Sequence, residues 1–145
     1  MFKYQKLWLA VWSILAMFLL GGCEEKYVVQ CGDASLKGDK LTRLRVSAAD
    51  MRLRKMIAQV LKKEGIRVDD EAAYTLEVET SRYAHHCNNP LTCSYDATYD
   101  GYVRVRLLQK MRPLCMVQRD YHGEFSKRFL ADVIEKMFDK LGLDR

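Results

Sequence analysis

Residues 95–108 read Tyr95-Asp96-Ala97-Thr98-Tyr99-Asp100-Gly101-Tyr102-Val103-Arg104-Val105-Arg106-Leu107-Leu108. Tyr99, Gly101, Val103, Val105 and Leu107 fall on one side of this stretch, and Tyr102, Arg104 and Arg106 on the other. A period of two marks a strand with one buried face and one open face, because successive side chains point to opposite sides of the pleat. Lys110 to Pro113 reads as a turn, since proline cannot donate to a strand ladder. Leu114 to Tyr121 resumes as a strand, which predicts a hairpin.

The same alternation recurs upstream. Tyr74, Leu76 and Val78 oppose Thr75, Glu77 and Glu79. In Leu41 to Val46, Leu44 and Val46 oppose Arg43 and Arg45. Between these strands the apolar period lengthens to that of a helix, with Leu53, Ile57, Val60 and Leu61 on one stripe. Ser47 is the expected N-cap, with Asp50 three residues later near the positive end, and Gly65 the expected terminator. A second helix is predicted from about Ser126 to Leu141, with Phe129, Val133, Met137 and Leu141 in register. Phe125, Leu130, Ile134 and Phe138 widen its stripe, and Gly142 closes it.

The order is β-α-β-β-β-α. Each helix has one apolar face, so the expectation is an α+β domain. Two helices would pack on one face of a three- to four-stranded mixed or antiparallel sheet. Its core should contain Leu44, Val46, Leu53, Ile57, Val60, Leu76, Val78, Val103, Val105, Phe129, Val133 and Met137. Residues 40–145 form this single domain. Residues 23–39 read as a tether, either unstructured or holding one short edge strand around Tyr27, Val28 and Val29.

The chain has 145 residues, 49% hydrophobic and 30% charged, with 2 Pro and 8 Gly. That is one domain's worth of ordinary globular chain, neither disordered nor collagen-like. Its 24 Lys and Arg against 19 Asp and Glu give a net charge of +5, modest for a nucleic-acid binder.

The N-terminus carries a targeting pattern. Lys3 and Lys6 precede Leu7 to Leu20, an uncharged run of 14 residues, and Gly21, Gly22 and Cys23 follow. The run is shorter than the about 20 apolar residues of a membrane span and has the length of a signal-peptide apolar region. Leu20-Gly21-Gly22-Cys23 resembles the lipobox of bacterial lipoproteins. The resemblance implies removal of residues 1–22 and lipidation of Cys23. The 123 residues that remain would lack both Trp8 and Trp12. Several acyl chains on one cysteine suffice for stable anchoring. With Glu24 in place of the aspartate associated with inner-membrane retention, the resemblance implies an anchor in the outer membrane, and the periplasmic side is expected over the cell surface.

The element order over Leu41 to Leu141, the size and the lipidated start together resemble small envelope lipoproteins that assist a larger machine. Examples are the lipopolysaccharide-assembly lipoproteins and, in element order, the N-terminal domain of the Tol-Pal propeller protein. The match is one of architecture, and it implies a non-enzymatic accessory or assembly role. The alternatives are a surface-exposed adhesin or ligand-binding lipoprotein, and a link to peptidoglycan or a secretion apparatus.

Cys31, Cys87, Cys93 and Cys115 remain beside the lipidated cysteine. An oxidising envelope compartment favours disulfides. Three pairings are possible, and free thiols are a further reading. Cys87 and Cys93, which flank the turn-rich Asn88-Asn89-Pro90-Leu91-Thr92, are the expected local pair, and Cys31 to Cys115 would then tie the tail to a late strand. Zinc at His85, His86, Cys87 and Cys93 is the competing reading. Adjacent histidines on extended backbone face opposite ways, so no metal site is assigned, and no cofactor is expected.

No catalytic motif is present, and His122 with Asp120 and Glu124 reads as a surface cluster. The expected binding face is basic. Arg43, Arg45, Arg104 and Arg106, joined by Tyr102, should project from the open side of the sheet, with Glu77 and Glu79 offsetting part of their charge. The expected partner is an envelope protein complex or an anionic lipid, not nucleic acid.

Overall fold

The computed structural model describes residues 27–32, 36, 40–83 and 99–143. Its elements are β1 (Tyr27–Cys31), β2 (Arg43–Ala48), α1 (Met51–Lys63), β3 (Arg67–Val68), β4 (Tyr74–Arg82), β5 (Gly101–Gln109), β6 (Arg112–Tyr121) and α2 (Lys127–Leu141). The strands form one sheet in the order β1-β6-β5-β4-β2-β3. β2 pairs parallel with β4 and with β3, and the other neighbours are antiparallel. The class and the two-helix arrangement are as expected, but six strands replace three to four. The additions are β1, which is the short edge strand held open as one option for the tether, and the two-residue β3.

The β5–β6 hairpin turns on Lys110 and Met111, both with positive φ (46° and 68°). Pro113 therefore lies inside β6 rather than in the turn. The register slips between Leu107, opposite Cys115, and Leu108, opposite Pro113, which leaves Leu114 as a bulge residue. A bulge near a strand start is where a missing N–H costs least. It also explains why the adjacent Leu114 and Cys115 are both buried.

α1 is capped by Asp50, whose carboxylate accepts from the Leu53 N–H at 2.7 Å, not by Ser47. Ser47 and Ala48 are still in β2, opposite Glu77 and Val78 of β4. Parallel pairing thus outlasts the local preference of serine for a cap. α2 is capped by Ser126, which accepts from Phe129, and ends at Gly142 in left-handed geometry.

The helices touch one another and share one side of the sheet, α1 over β2 and β3, and α2 over β6, β5 and β1. Between the layers lie Leu44, Ile57, Leu61, Leu76, Val103, Val105, Leu107, Leu130, Ile134 and Met137, all fully buried. Among the described residues no polar side chain is buried. Phe129, expected in the core, is only partly buried. It gives one ring face to the Arg119 guanidinium at 4.5 Å. Arg119 also donates to the Tyr27 hydroxyl at 3.1 Å, so it joins β6, β1 and α2. Gly101 sits opposite Tyr121. A Cβ there would meet the Tyr121 hydroxyl at 2.6 Å and collide with the Ser81 carbonyl oxygen, so the position accepts only glycine.

Cys31 and Cys115 face each other in the β1–β6 register and form a disulfide. The sequence separation is 84 residues. Cross-linking a loop of that length stabilises a fold by about 4 kcal/mol through the chain entropy it removes from the unfolded state. This is how a five-residue edge strand is held. The expected pair Cys87 and Cys93, the histidines His85 and His86, and the lipidation candidate Cys23 lie outside the described residues.

Candidate functional site

Every strand that contributes to the core also contributes alternate residues to the opposite side of the sheet. That side presents Arg43 and Arg45 from β2, Glu77 and Glu79 from β4, and Tyr102, Arg104 and Arg106 from β5. Met116, Gln118 and Asp120 of β6 and Val28 and Gln30 of β1 complete it. Among the described residues no helix covers this side.

The register determines the chemistry. Antiparallel pairing sets Glu77 opposite Arg106 and Glu79 opposite Arg104. Arg106 reaches Glu77 at 3.1 Å and Glu79 at 3.5 Å, and Arg104 reaches Glu79 at 3.3 Å. Tyr102 donates to the other oxygen of Glu79 at 2.7 Å. Arg104 also donates to the Gln118 side-chain amide oxygen at 3.0 Å and lies over the Tyr102 ring at 5.1 Å. Glu79 is the hub of this network. The Tyr102 hydroxyl lowers its pKa most, against a smaller opposing effect of burial, and Arg104 and Arg106 lower it further. The same hydrogen bond raises the pKa of Tyr102. Beside it, the Tyr83 hydroxyl donates to Asp120 at 2.8 Å. Burial first, and that carboxylate second, push the Tyr83 phenol up to about 12.

The five residues expected to form one basic face therefore divide. Tyr102, Arg104 and Arg106 gather around Glu79. Arg43 and Arg45 are drawn to the turn after β3, where Arg43 pairs with Asp69 at 3.0 Å. The Nε of Arg45 donates to the Asp70 carbonyl oxygen at 2.6 Å, and Arg54 of α1 pairs with the Asp70 carboxylate at 2.7 Å. A main-chain hydrogen bond from Glu71 is the main reason the Asp69 pKa is lowered, and Arg43 adds to it. The offset foreseen for Glu77 and Glu79 is present. Sequence reasoning missed Asp69, Asp70, Tyr83 and Gln118, and grouped Asp120 with His122 instead of with this face. Gln118 and Asp120 alternate with the buried residues of β6, a signal available beforehand. The reach of Asp69 and Asp70 back to β2 depends on parallel pairing with β3, which a two-residue strand does not announce.

His122 is exposed and stacks on Tyr99 at 4.4 Å between ring centroids. Asp120 is engaged by Tyr83. Glu124 lines a separate concavity with Asp50, Arg52, Ser81, Arg82 and Tyr121. The three do not converge. Cys115 is buried and bonded to Cys31. Among the described residues no three His, Cys, Asp or Glu side chains converge on a metal position, and no helix is long and apolar enough to cross a membrane.

No protein-family model matches the chain, and no curated protein matches it. Among solved structures it is similar to the crystal structure of a minor lipoprotein from Acinetobacter baumannii, with 14% identity over 72% of this chain and 87% of that one, at a TM-score of 0.29. A likeness at that level assigns neither fold nor function.

Proposed function

We propose that the chain is a non-enzymatic accessory or assembly lipoprotein of the bacterial cell envelope. Its anchor is the acylated Cys23 in the outer membrane, with the domain on the periplasmic side. Its open sheet face binds a protein partner. The Leu20-Gly21-Gly22-Cys23 motif supports the anchor, and the resemblance in size and in the β-α-β-β-β-α order read from the sequence is what suggests an accessory role.

One observation carries the choice of a protein over an anionic lipid. Arg104 and Arg106 already engage Glu77 and Glu79, and Arg43 engages Asp69, so the face alternates in charge. A polyanionic surface would have to displace those carboxylates. A protein surface of mixed charge can add to them, with Tyr102 and Met116 offering apolar contact area.

The test is photo-crosslinking in intact cells, with the crosslinker at Gln118 on the open face and at Lys62 on the helix layer. A specific envelope protein captured at Gln118 and not at Lys62 supports the reading. Capture from Lys62 alone, or of lipid alone at Gln118, overturns it.

A further inference from the structure

The tether is too short to leave the orientation of the domain free. Tyr27 pairs with Arg119, which puts the start of β1 beside the end of β6. At that same end β5 begins, β4 finishes and both helices start. Cys23 lies four residues before Tyr27, and an extended chain spans at most ~3.6 Å per residue, so its reach is about 14 Å. The hairpin tip at Met111 lies at the far end of β5, about 30 Å away along a strand of nine residues.

Among the described residues the near end carries several cations that make no salt bridge. A concavity between the helices is lined by Met51, Arg52, Lys55, Met56, Gln59 and Lys127, with no acid among them. Arg52, Lys55 and Arg128 are exposed and make no salt bridge among the described residues. Neither helix has an acid in its first turn. Of the described acids near this end, Asp50, Asp100 and Asp120 accept from the Leu53 N–H, the Gly123 N–H and the Tyr83 hydroxyl, and none of them forms a salt bridge with these cations. Glu124 faces the neighbouring concavity with Arg52 and Arg82. Within the patch Met51 is 65% exposed. A flexible apolar side chain ringed by cations is the chemistry of an interfacial membrane contact.

We propose that Met51, Arg52, Lys55, Lys127 and Arg128 dock the domain onto anionic phospholipid headgroups of the bilayer that holds the Cys23 acyl chains, which turns the Met111 hairpin away from the membrane. This rests on the reading of Cys23 as the anchor. The cations supply attraction and Met51 enters the interface. The short tether makes the encounter intramolecular, so a weak patch suffices.

The mature chain has no tryptophan, because Trp8 and Trp12 precede Cys23, so one introduced tryptophan reports alone. Met51→Trp and Met111→Trp change exposed side chains and should leave the fold intact. Each acylated protein is placed in vesicles of phosphatidylethanolamine and phosphatidylglycerol with brominated acyl chains. Met51→Trp should be blue-shifted and quenched, and Met111→Trp should not. The quenching should fall in about 1 M salt, where the screening length shrinks to about 3 Å. Each cation near an anionic surface favours association about fivefold, so adding Lys55→Glu and Arg128→Glu should cut the docked-to-free ratio at least ~25-fold. Equal quenching of the two reporters, no quenching of either, or quenching unchanged in vesicles of phosphatidylcholine alone overturns the docking. Intact mass is read first. An acylated protein without Met51→Trp quenching overturns the docking alone, and an unacylated one overturns the anchor and the docking with it.

Discussion

The two faces of the sheet are built from the same strands and held by opposite means. On the helix side Val103, Val105 and Leu107 are fully buried, and their stabilisation comes from apolar area removed from water. On the open side Arg104 and Arg106, the residues between them, remain about one-third exposed and interact by charge and hydrogen bonding. Burial is non-directional and tolerates neighbours of many shapes. The open face depends on register, because a slip of one residue would place Glu79 opposite a valine. The buried face therefore holds most of the fold's stability, whereas the open face contributes little to folding and presents a specific pattern to the outside.

The disulfide offers the largest break in this contrast. Replacing Cys31 and Cys115 together by alanine should cost about 4 kcal/mol and release β1 first. Denaturant unfolding followed by hydrogen exchange at Tyr27–Cys31 measures both effects. Ile57→Ala, which opens a cavity under α1, should cost about 3 kcal/mol in the same unfolding assay. A cost this large from any single open-face change would erase the distinction between the faces.

Glu79→Ala is the sharpest probe of the open side. It removes two ion pairs and the Tyr102 hydrogen bond at once. Solvent screening at a half-exposed site holds the cost to about 1 kcal/mol. The pH dependence has a definite sign. The Glu79 carboxyl lies below its ordinary value of 4.5 when folded, so its stabilisation is complete above that value and is lost as pH falls through the folded value. Glu79→Gln should accordingly flatten the acid limb of the stability curve and leave its neutral plateau nearly parallel. Tyr83 acts at the other extreme. Its raised value stabilises the fold fully below the ordinary 10.0, and that contribution fades as pH climbs towards about 12. Tyr83→Phe should remove this alkaline loss in the same titration. An equally small effect on folding is expected from Arg104→Ala with Arg106→Ala, about 1 kcal/mol in total. The same pair should nevertheless abolish the crosslink at Gln118 if the open face binds its partner, and so separates recognition from stability.

Much of the frame was legible beforehand. Period-two and period-3.6 patterns placed β2, β4, β5, β6 and both helices, because half-burial leaves its mark on every second or every third to fourth residue. Almost all of the expected core is buried for the same reason. Phe129 is the exception, since its ring serves Arg119 at the sheet edge and not the interior. β1 was legible only as one of two options for the tether, an edge strand around Tyr27, Val28 and Val29, and the two residues of β3 are too few for a pattern to register. The charged face was half legible. The alternation showed that Arg104 and Arg106 leave one side of β5 and that Glu77 and Glu79 leave one side of β4.

The sequence by itself thus determined which side chains share a face, where the helices lie, and the Leu20-Gly21-Gly22-Cys23 motif on which the proposed anchor rests. These are local properties, written in periodicity and short motifs. Only the tertiary structure decided which faces meet. It placed Glu79 among Tyr102, Arg104 and Arg106, drew Arg43 and Arg45 towards Asp69 and Asp70, made β1 a strand through β6 and the Cys31–Cys115 bond, and gave the cap of α1 to Asp50. Strand register and parallel pairing join residues distant in the chain. Their energies depend on partners that no local window of sequence contains.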